Sequence, residues 1–465
     1  MSEAVRVRFA PSPTGYLHIG GVRTALFNYL FAKSCGGLFF LRIEDTDRER
    51  SKPEFETEIL RSMEWLEFIC DGSVVRQSER FDHYRETAER LVAEGKAAVS
   101  MEKGGRASLN MPRVAAGSGS PDRAGRAIVY KTPAERIKFD DLVHGDIEFD
   151  TATFEDLVLI KSDGSPAYNF ACVVDDHDMQ ITHVIRGDDH ISNTPKQILL
   201  YQLLGYEIPR FGHLPLIVGQ DGAPLSKRHG AVSLRAFQEE GFLPEAMLNY
   251  LALLGWSSGD DREIYGLREL TEKFSMQGVN SKSACFDMEK LRWLNGEHLR
   301  ALPEAVYQAR LADFIKNFAA FEITPSADRL ARAAVLLKDR IKTFREFTTQ
   351  ADYFFKTVPD FDPAAVKKSW KDEKSKDYLG KLGEALEPCD FQDPAVLEKI
   401  TRDTAAVLGV SAGALIHPLR VSLTGRSVSP GIFELMAALG KEISLERIHY
   451  TTRHFADLRG IESHG

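Results

Sequence analysis

Val5, Val7 and Phe9 alternate with Arg6, Arg8 and Ala10, the two-residue period of a strand. The period then lengthens, and Val22, Leu26, Tyr29 and Leu30 share one face of a predicted helix. Between the two runs lies Pro11-Ser-Pro-Thr-Gly-Tyr-Leu-His-Ile-Gly-Gly21, whose prolines and Gly15 force a turn. Gly20 and Gly21 leave the backbone bare at the helix start, where N–H groups and the macrodipole favour a phosphate, and His18 sits at that mouth. Gly37-Leu-Phe-Phe-Leu-Arg-Ile43 predicts a buried parallel strand, so residues 5 to 70 read strand, helix, strand, helix. That second strand runs into Glu44-Asp-Thr-Asp-Arg48, placing carboxylates at a strand's C-terminal end, where open α/β sheets bind ligands.

A loop-prone stretch rich in Gly, Ser, Ala and Arg covers residues 103 to 126 and reads as part of an inserted domain. The sheet is expected to resume at Phe154 to Ile160, Tyr168 to Val174 and Ile181 to Ile185, ahead of Arg186-Gly-Asp-Asp-His190. A helix over Thr194 to Leu204 leads to a buried-strand run, Leu214-Pro-Leu-Ile-Val218. A Gly-Gln-Asp-Gly loop at residues 219 to 222 then carries Pro224-Leu-Ser-Lys-Arg228. From about Leu234 the pattern is helical almost to the end, with no solenoid repeat.

At 465 residues the chain has room for about three domains, and its 43% hydrophobic and 27% charged content is that of a soluble globular protein. No early apolar run has the length of a signal or membrane segment. Cys35, Cys70, Cys172, Cys285 and Cys389 are scattered and odd in number, which favours reduced thiols in the cytoplasm over a disulfide framework. A net charge of −9 argues against nucleic-acid binding by the chain as a whole. Local clusters decide that question: Arg106, Arg113, Arg123, Arg126 and Lys131, and later Lys338, Arg340, Lys342, Arg345, Lys367, Lys368, Lys371 and Lys374. Each could equally be a solvated helix face.

Pro-Ser-Pro-Thr-Gly alone is a stiff surface turn, and Ser-Lys-Arg alone is a surface triplet. Their joint occurrence, one in a strand-turn-helix setting and one in a glycine-flanked loop, resembles the two signatures of a class I aminoacyl-tRNA synthetase. Arg8-Phe-Ala-Pro, Leu41-Arg-Ile-Glu-Asp-Thr-Asp-Arg48, Tyr168-Asn-Phe, Val173-Val-Asp-Asp-His177, Val184-Ile-Arg-Gly-Asp-Asp-His190 and Leu225-Ser-Lys-Arg-His-Gly230 narrow it to the bacterial-type glutamyl enzymes. Asn249-Tyr-Leu-Ala-Leu-Leu-Gly-Trp256, Leu423-Thr-Gly-Arg426 and Ser429-Pro-Gly-Ile-Phe433 extend the likeness over essentially the whole chain.

The resemblance implies a Rossmann-type α/β nucleotide-binding fold with an inserted α+β domain and an all-helical C-terminal domain. The expected divisions are 1–75 and 176–240 for the catalytic halves, 76–175 for an inserted acceptor-binding domain, 241–320 for a stem-contact region and 321–465 for an anticodon-binding domain. It implies ATP with Mg²⁺, L-glutamate and tRNA(Glu) as substrates, a glutamyl-adenylate intermediate, and a cytoplasmic protein without membrane attachment; a monomer is expected. His18 and Lys227 would be catalytic. Gly20, Gly21, Asp189, His190 and Ser226 would join them around ATP, while Arg8, Ala10, Ser12, Glu44, Tyr168 and Arg186 would hold glutamate. Without the resemblance, Arg8 and Glu44 read equally well as an interstrand ion pair.

Three departures stand out. Pro224 occupies the usual lysine position of the second signature, and Gly21 ends the first where the general class I pattern has histidine. Residues 97 to 133 contain no cysteine, so no thiolate zinc site can form there and no zinc is expected. The competing readings are a glutaminyl enzyme, one that also charges tRNA(Gln), a truncated paralogue that glutamylates a modified base in tRNA(Asp), a small-molecule nucleotidyltransferase and a non-catalytic RNA-binding module. Arg186 favours the acid, and the long helical region disfavours the truncated paralogue and the nucleotidyltransferase.

Overall fold

The computed structural model describes residues 4–100, 125–225 and 233–460. They form two compact units, Met1–Gln238 with Leu243–Leu294, and Glu239–Phe242 with Asn295–Gly465.

In the first unit, β1 (Arg6–Phe9), α1 (Ile19–Ser34), β2 (Leu38–Ile43), α2 (Pro53–Trp65) and β3 (Val75–Arg76) follow the expected alternation. β1 pairs in parallel with β2, and β2 with β3. α1 departs from the one-sided helix its spacing implied. Arg23, Phe27 and Asn28 are buried along with Val22, Leu26 and Leu30, so the helix is enclosed all round. Phe27 meets Phe274 edge-on at 5.4 Å. Enclosing each of these large apolar side chains contributes roughly 1.5–3 kcal/mol.

After α3 (Phe81–Ala93) come β4 (Ala98–Val99), β5 (Ile128–Tyr130), β6 (Arg136–Asp141), β7 (Gly145–Asp150) and β8 (Leu157–Ile160). β8 begins later than the expected Phe154. The expected strand at Tyr168 to Val174 is instead a helix, α4 (Tyr168–Asp178). A short run that is apolar on every side fits a buried helix as well as a buried strand, and here Phe170 to Asp176 are all buried.

β9 (His183–Gly187), α5 (Thr194–Leu204), β10 (Arg210–Leu214) and β11 (Ile217–Val218) complete the site-bearing part. The run expected as one strand from Leu214 to Val218 breaks at Pro215, which has no N–H to give a ladder. β10 pairs in parallel with β9 over five positions, and with β6 where Phe211 stands opposite Asp141. The β6–β7 hairpin is thereby sewn onto the central sheet. Thr182, just before β9, bonds to Arg6 in β1 (2.8 Å from the Arg6 N–H to Oγ1), so the two sheets meet there. Leu159, Phe170, Val174, Val184, Leu199 and Phe211 lie in one core cluster beneath these elements.

Further along are α6 (Leu234–Glu239), α7 (Pro244–Leu253), α8 (Leu267–Lys273), β12 (Ala284–Cys285) and α9 (Met288–Ala301). The second unit is helical. Ser326, Thr343, Asp362, Asp372 and Asp393 each cap a helix start by accepting a backbone N–H. Buried Arg447 donates to the carbonyls of Leu423, Tyr353 and Lys356, and burial lowers its pKa to about 10. All five cysteines are free. Among the described residues no helix is long and apolar enough to cross a membrane.

Candidate active site

A cleft of about 540 Å³ opens where β1, β2 and β9 end and α1 begins. Arg8, Ala10, Ser12, His18, Gly20, Gly21, Glu44, Tyr168, Arg186, Asp189 and His190 all line it. Ser226 and Lys227 lie outside the described residues. A roomier cavity of about 640 Å³ lies beside Trp256 and Lys290, but no arginine lines it. Chemistry, not volume, singles out the cleft at the strand ends.

His18 is the N-cap of α1. Its Nδ1 accepts the Gly21 N–H at 3.3 Å and its carbonyl accepts the Val22 N–H at 3.0 Å. A ring whose Nδ1 accepts carries its proton on Nε2, which is then a donor. His18 remains solvent-exposed, but desolvation by the cleft walls lowers its pKa against the pull of Asp189, which favours the neutral ring. The first turn of α1 has no acidic residue to compete for an anion. A Cβ on Gly21 would come within 2.9 Å of Leu17 Cδ1, so the bare α-carbon permits the tight entry into the helix.

Two arginines converge on one carboxylate. Arg8 donates to Asp176 at 2.9 and 3.3 Å, and Arg42 donates to it at 2.5 Å. Burial would raise the Asp176 pKa, but the two guanidiniums outweigh it and hold the carboxyl at about 2. Burial likewise opposes the charge on Arg8, and Asp176 reverses the sign, raising its pKa. Glu44 takes its hydrogen bond from Arg42 at 3.0 Å, so it is Arg42 and not Arg8 that pairs with it. Burial still leaves the Glu44 pKa raised. Cys172 lies 3.7 Å from Glu44, and burial with Asp176 pushes its thiol up to about 12.

Arg186 differs from Arg8 in kind. It is 6% exposed, and its partners are His213 Nε2 at 3.2 Å, Gln197 at 2.9 Å and Thr194 at 2.8 Å. No described carboxylate pairs with it. Tyr168 reaches His190 Nδ1 at 3.1 Å; burial raises the tyrosine's pKa, and burial with Arg186 lowers that of His190. Asp189 folds back over Gly187, where a Cβ would come within 2.5 Å of its Oδ1.

Arg42, Asp176 and Arg23 went unremarked in the sequence although the first two sit inside quoted motifs. The available signal was a charge within an apolar run, which when buried demands a partner. Arg23 is 4% exposed, donates to the carbonyls of Leu254 and Pro215, and is lowered by burial to about 10.

Residues 4–293 match the family model for the catalytic domain of class I tRNA synthetases (E and Q), and residues 309–452 match an anticodon binding domain. The glutamate–tRNA ligase of Nitratidesulfovibrio vulgaris is 45% identical over 467 residues, covering 96% of this chain and 99% of that protein. That of Desulforudis audaxviator is 41% identical over 479 residues, covering 96% of each. Among solved structures, a glutamate tRNA ligase from Elizabethkingia meningosepticum in complex with its amino acid superposes with a TM-score of 0.83 at 32% identity, covering 97% of this chain and 99% of that one.

Proposed function

This chain belongs to the class I tRNA synthetases for glutamate and glutamine, and from that footing we propose that it ligates L-glutamate to tRNA(Glu) at the expense of ATP. The glutamate α-carboxylate attacks the α-phosphorus of ATP and expels pyrophosphate. A hydroxyl of the tRNA's terminal adenosine then attacks the carbonyl of glutamyl-adenylate and expels AMP. Mg²⁺ enters with ATP as part of the substrate; among the described residues no cluster of three or more His, Cys, Asp or Glu could hold an ion by itself.

No protein nucleophile is needed, so catalysis is positioning and charge. In this reading His18 Nε2–H and the amides at the start of α1 receive phosphate oxygens, with Asp189 and His190 beside the nucleotide. Lys227 and Ser226, outside the described residues, are assigned to the triphosphate. Glu44 receives the substrate ammonium, with Arg8, Ala10, Ser12 and Tyr168 completing the amino-acid pocket. The catalytic halves are taken as 1–75 and 176–240, the acceptor-binding insert as 76–175, the stem-contact region as 241–320 and the anticodon reader as 321–465. The protein works as a cytoplasmic monomer.

The observation that carries the choice of substrate is Arg186, a buried guanidinium surrounded by neutral partners. Among the described residues it has no anionic partner, and a glutamate side chain supplies one where glutamine cannot. Arg186→Gln should weaken glutamate use strongly and narrow its preference over glutamine. Values of kcat/KM for both amino acids, measured with tRNA present, decide it; an unchanged ratio places the selection elsewhere.

A further inference from the structure

His213 stands between two groups that constrain its ring from opposite sides. Its Nδ1 lies 2.6 Å from Asp141 Oδ2, and its Nε2 lies 3.2 Å from Arg186 Nε and 3.0 Å from the Thr194 hydroxyl. Side chains of both His213 and Asp141 are wholly buried. A carboxylate accepts and a guanidinium only donates, so one arrangement satisfies both: the proton on Nδ1 and the lone pair on Nε2. A second proton on Nε2 would face the Arg186 N–H directly.

Asp141 is equally constrained. Its Oδ1 accepts backbone N–H groups from Val143 at 2.9 Å, His144 at 3.0 Å and His213 at 3.2 Å. It closes β6 at the point where that strand pairs with β10. Among the described residues three of Arg186's five N–H donors are used, by His213, Gln197 and Thr194, which leaves one on each Nη. A carboxylate accepts such a pair in bidentate fashion. Because all three partners are neutral when His213 carries one proton, they orient the guanidinium without cancelling its charge.

We propose that Asp141 and His213 are positioning residues for amino-acid selection, Asp141 setting the tautomer of His213 so that its Nε2 holds Arg186 toward the substrate carboxylate. The proposal rests on Arg186 as the reader of the acidic side chain. It also brings a residue of the β6–β7 hairpin, remote from the signature motifs, into the choice of substrate.

The test is Asp141→Asn. The three backbone N–H groups will hold the amide oxygen at the Oδ1 position, so the amide NH₂ confronts His213 Nδ1 and drives the ring proton to Nε2, against Arg186. The glutamate KM should rise at least about tenfold, the scale of one hydrogen bond lost with its donor left buried. The preference for glutamate over glutamine should narrow, with the ATP KM unchanged. In a His213→Gln background, which has no tautomer to set, adding Asp141→Asn should not narrow the preference further. A folded Asp141→Asn enzyme with wild-type glutamate KM and amino-acid preference overturns the proposal. Should Asp141→Asn fail to fold, His213→Gln and His213→Phe decide: glutamine keeps an acceptor near the place of Nε2 and should retain selectivity that phenylalanine loses, and equal preferences in the two overturn the idea. Arg186→Gln separates the levels. If it alters the preference while Asp141→Asn does not, the positioning role falls alone; if neither does, the reading of Arg186 falls and takes this one with it.

Discussion

Arg8 and Asp176 meet through two hydrogen bonds of 2.9 and 3.3 Å although 168 positions separate them along the chain. Arg42 reaches the same carboxylate from the neighbouring strand, so one acid on α4 is shared by two arginines on adjacent strands, and Glu44 supplies Arg42 with a second carboxylate. Asp176→Ala would leave both cations buried without their shared acid. The expected loss is about 3–5 kcal/mol of stability. Urea unfolding followed by circular dichroism measures it, and a midpoint equal to wild type would show that water or a neighbouring carboxylate replaces Asp176.

Stability should also fall as the solution is acidified, in two stages. His183 is lowered by burial, then Arg210, to about 4, and His18 and His213 are also lowered, chiefly by burial. A depressed histidine favours the native state above its unfolded pKa near 6.5, and that contribution is lost as pH falls through the native value. Asp176, with a native pKa of about 2, follows the same sign at lower pH: its contribution is complete above about 4 and is lost as pH falls through about 2. Unfolding midpoints measured from pH 7 down to pH 3 should therefore decline. A flat profile would contradict the neutral imidazoles of His183 and His213.

Lys227→Ala should cut adenylate formation about 10²–10³-fold, the scale of losing one charged contact in the transition state. Glutamate binding should hardly change. ATP–pyrophosphate exchange with tRNA present reads the step directly, and near wild-type turnover would remove Lys227 from the chemistry.

The protein as purified should contain no stoichiometric zinc, because residues 97 to 133 offer no thiolate. Treatment with a chelator, followed by restored Mg²⁺, should return full activity. Elemental analysis giving one zinc per chain would point to histidine and carboxylate ligands instead.

What could be read from the chain was local. β1 and α1 follow from side-chain period, and the turn between them from proline and glycine chemistry. The convergence of Arg8, His18, Glu44 and Arg186 at strand and helix ends came from motif likeness joined to the rule that open sheets bind ligands there. The strand expected at Tyr168 to Val174 is a helix: Asn169 is the run's one strongly polar position, too few for periodicity to separate helix from strand. The ion pairs were illegible for another reason. Arg42 and Asp176 are 134 positions apart, His213 and Asp141 are 72 apart, and nothing local tells one buried charge which distant charge will face it.

The stitch between β6 and β10 bears on attempts to build chimeras from related enzymes. A graft that exchanged the stretch from β4 to β8 would carry Asp141 with it and leave His213 behind in the recipient. Altering the count of residues so that β6 slid by a single position would turn Asp141 to the opposite face of the sheet. Such hybrids could fold and bind ATP yet discriminate poorly between amino acids, so Asp141 and His213 should be transplanted as a pair, with their register, or not at all.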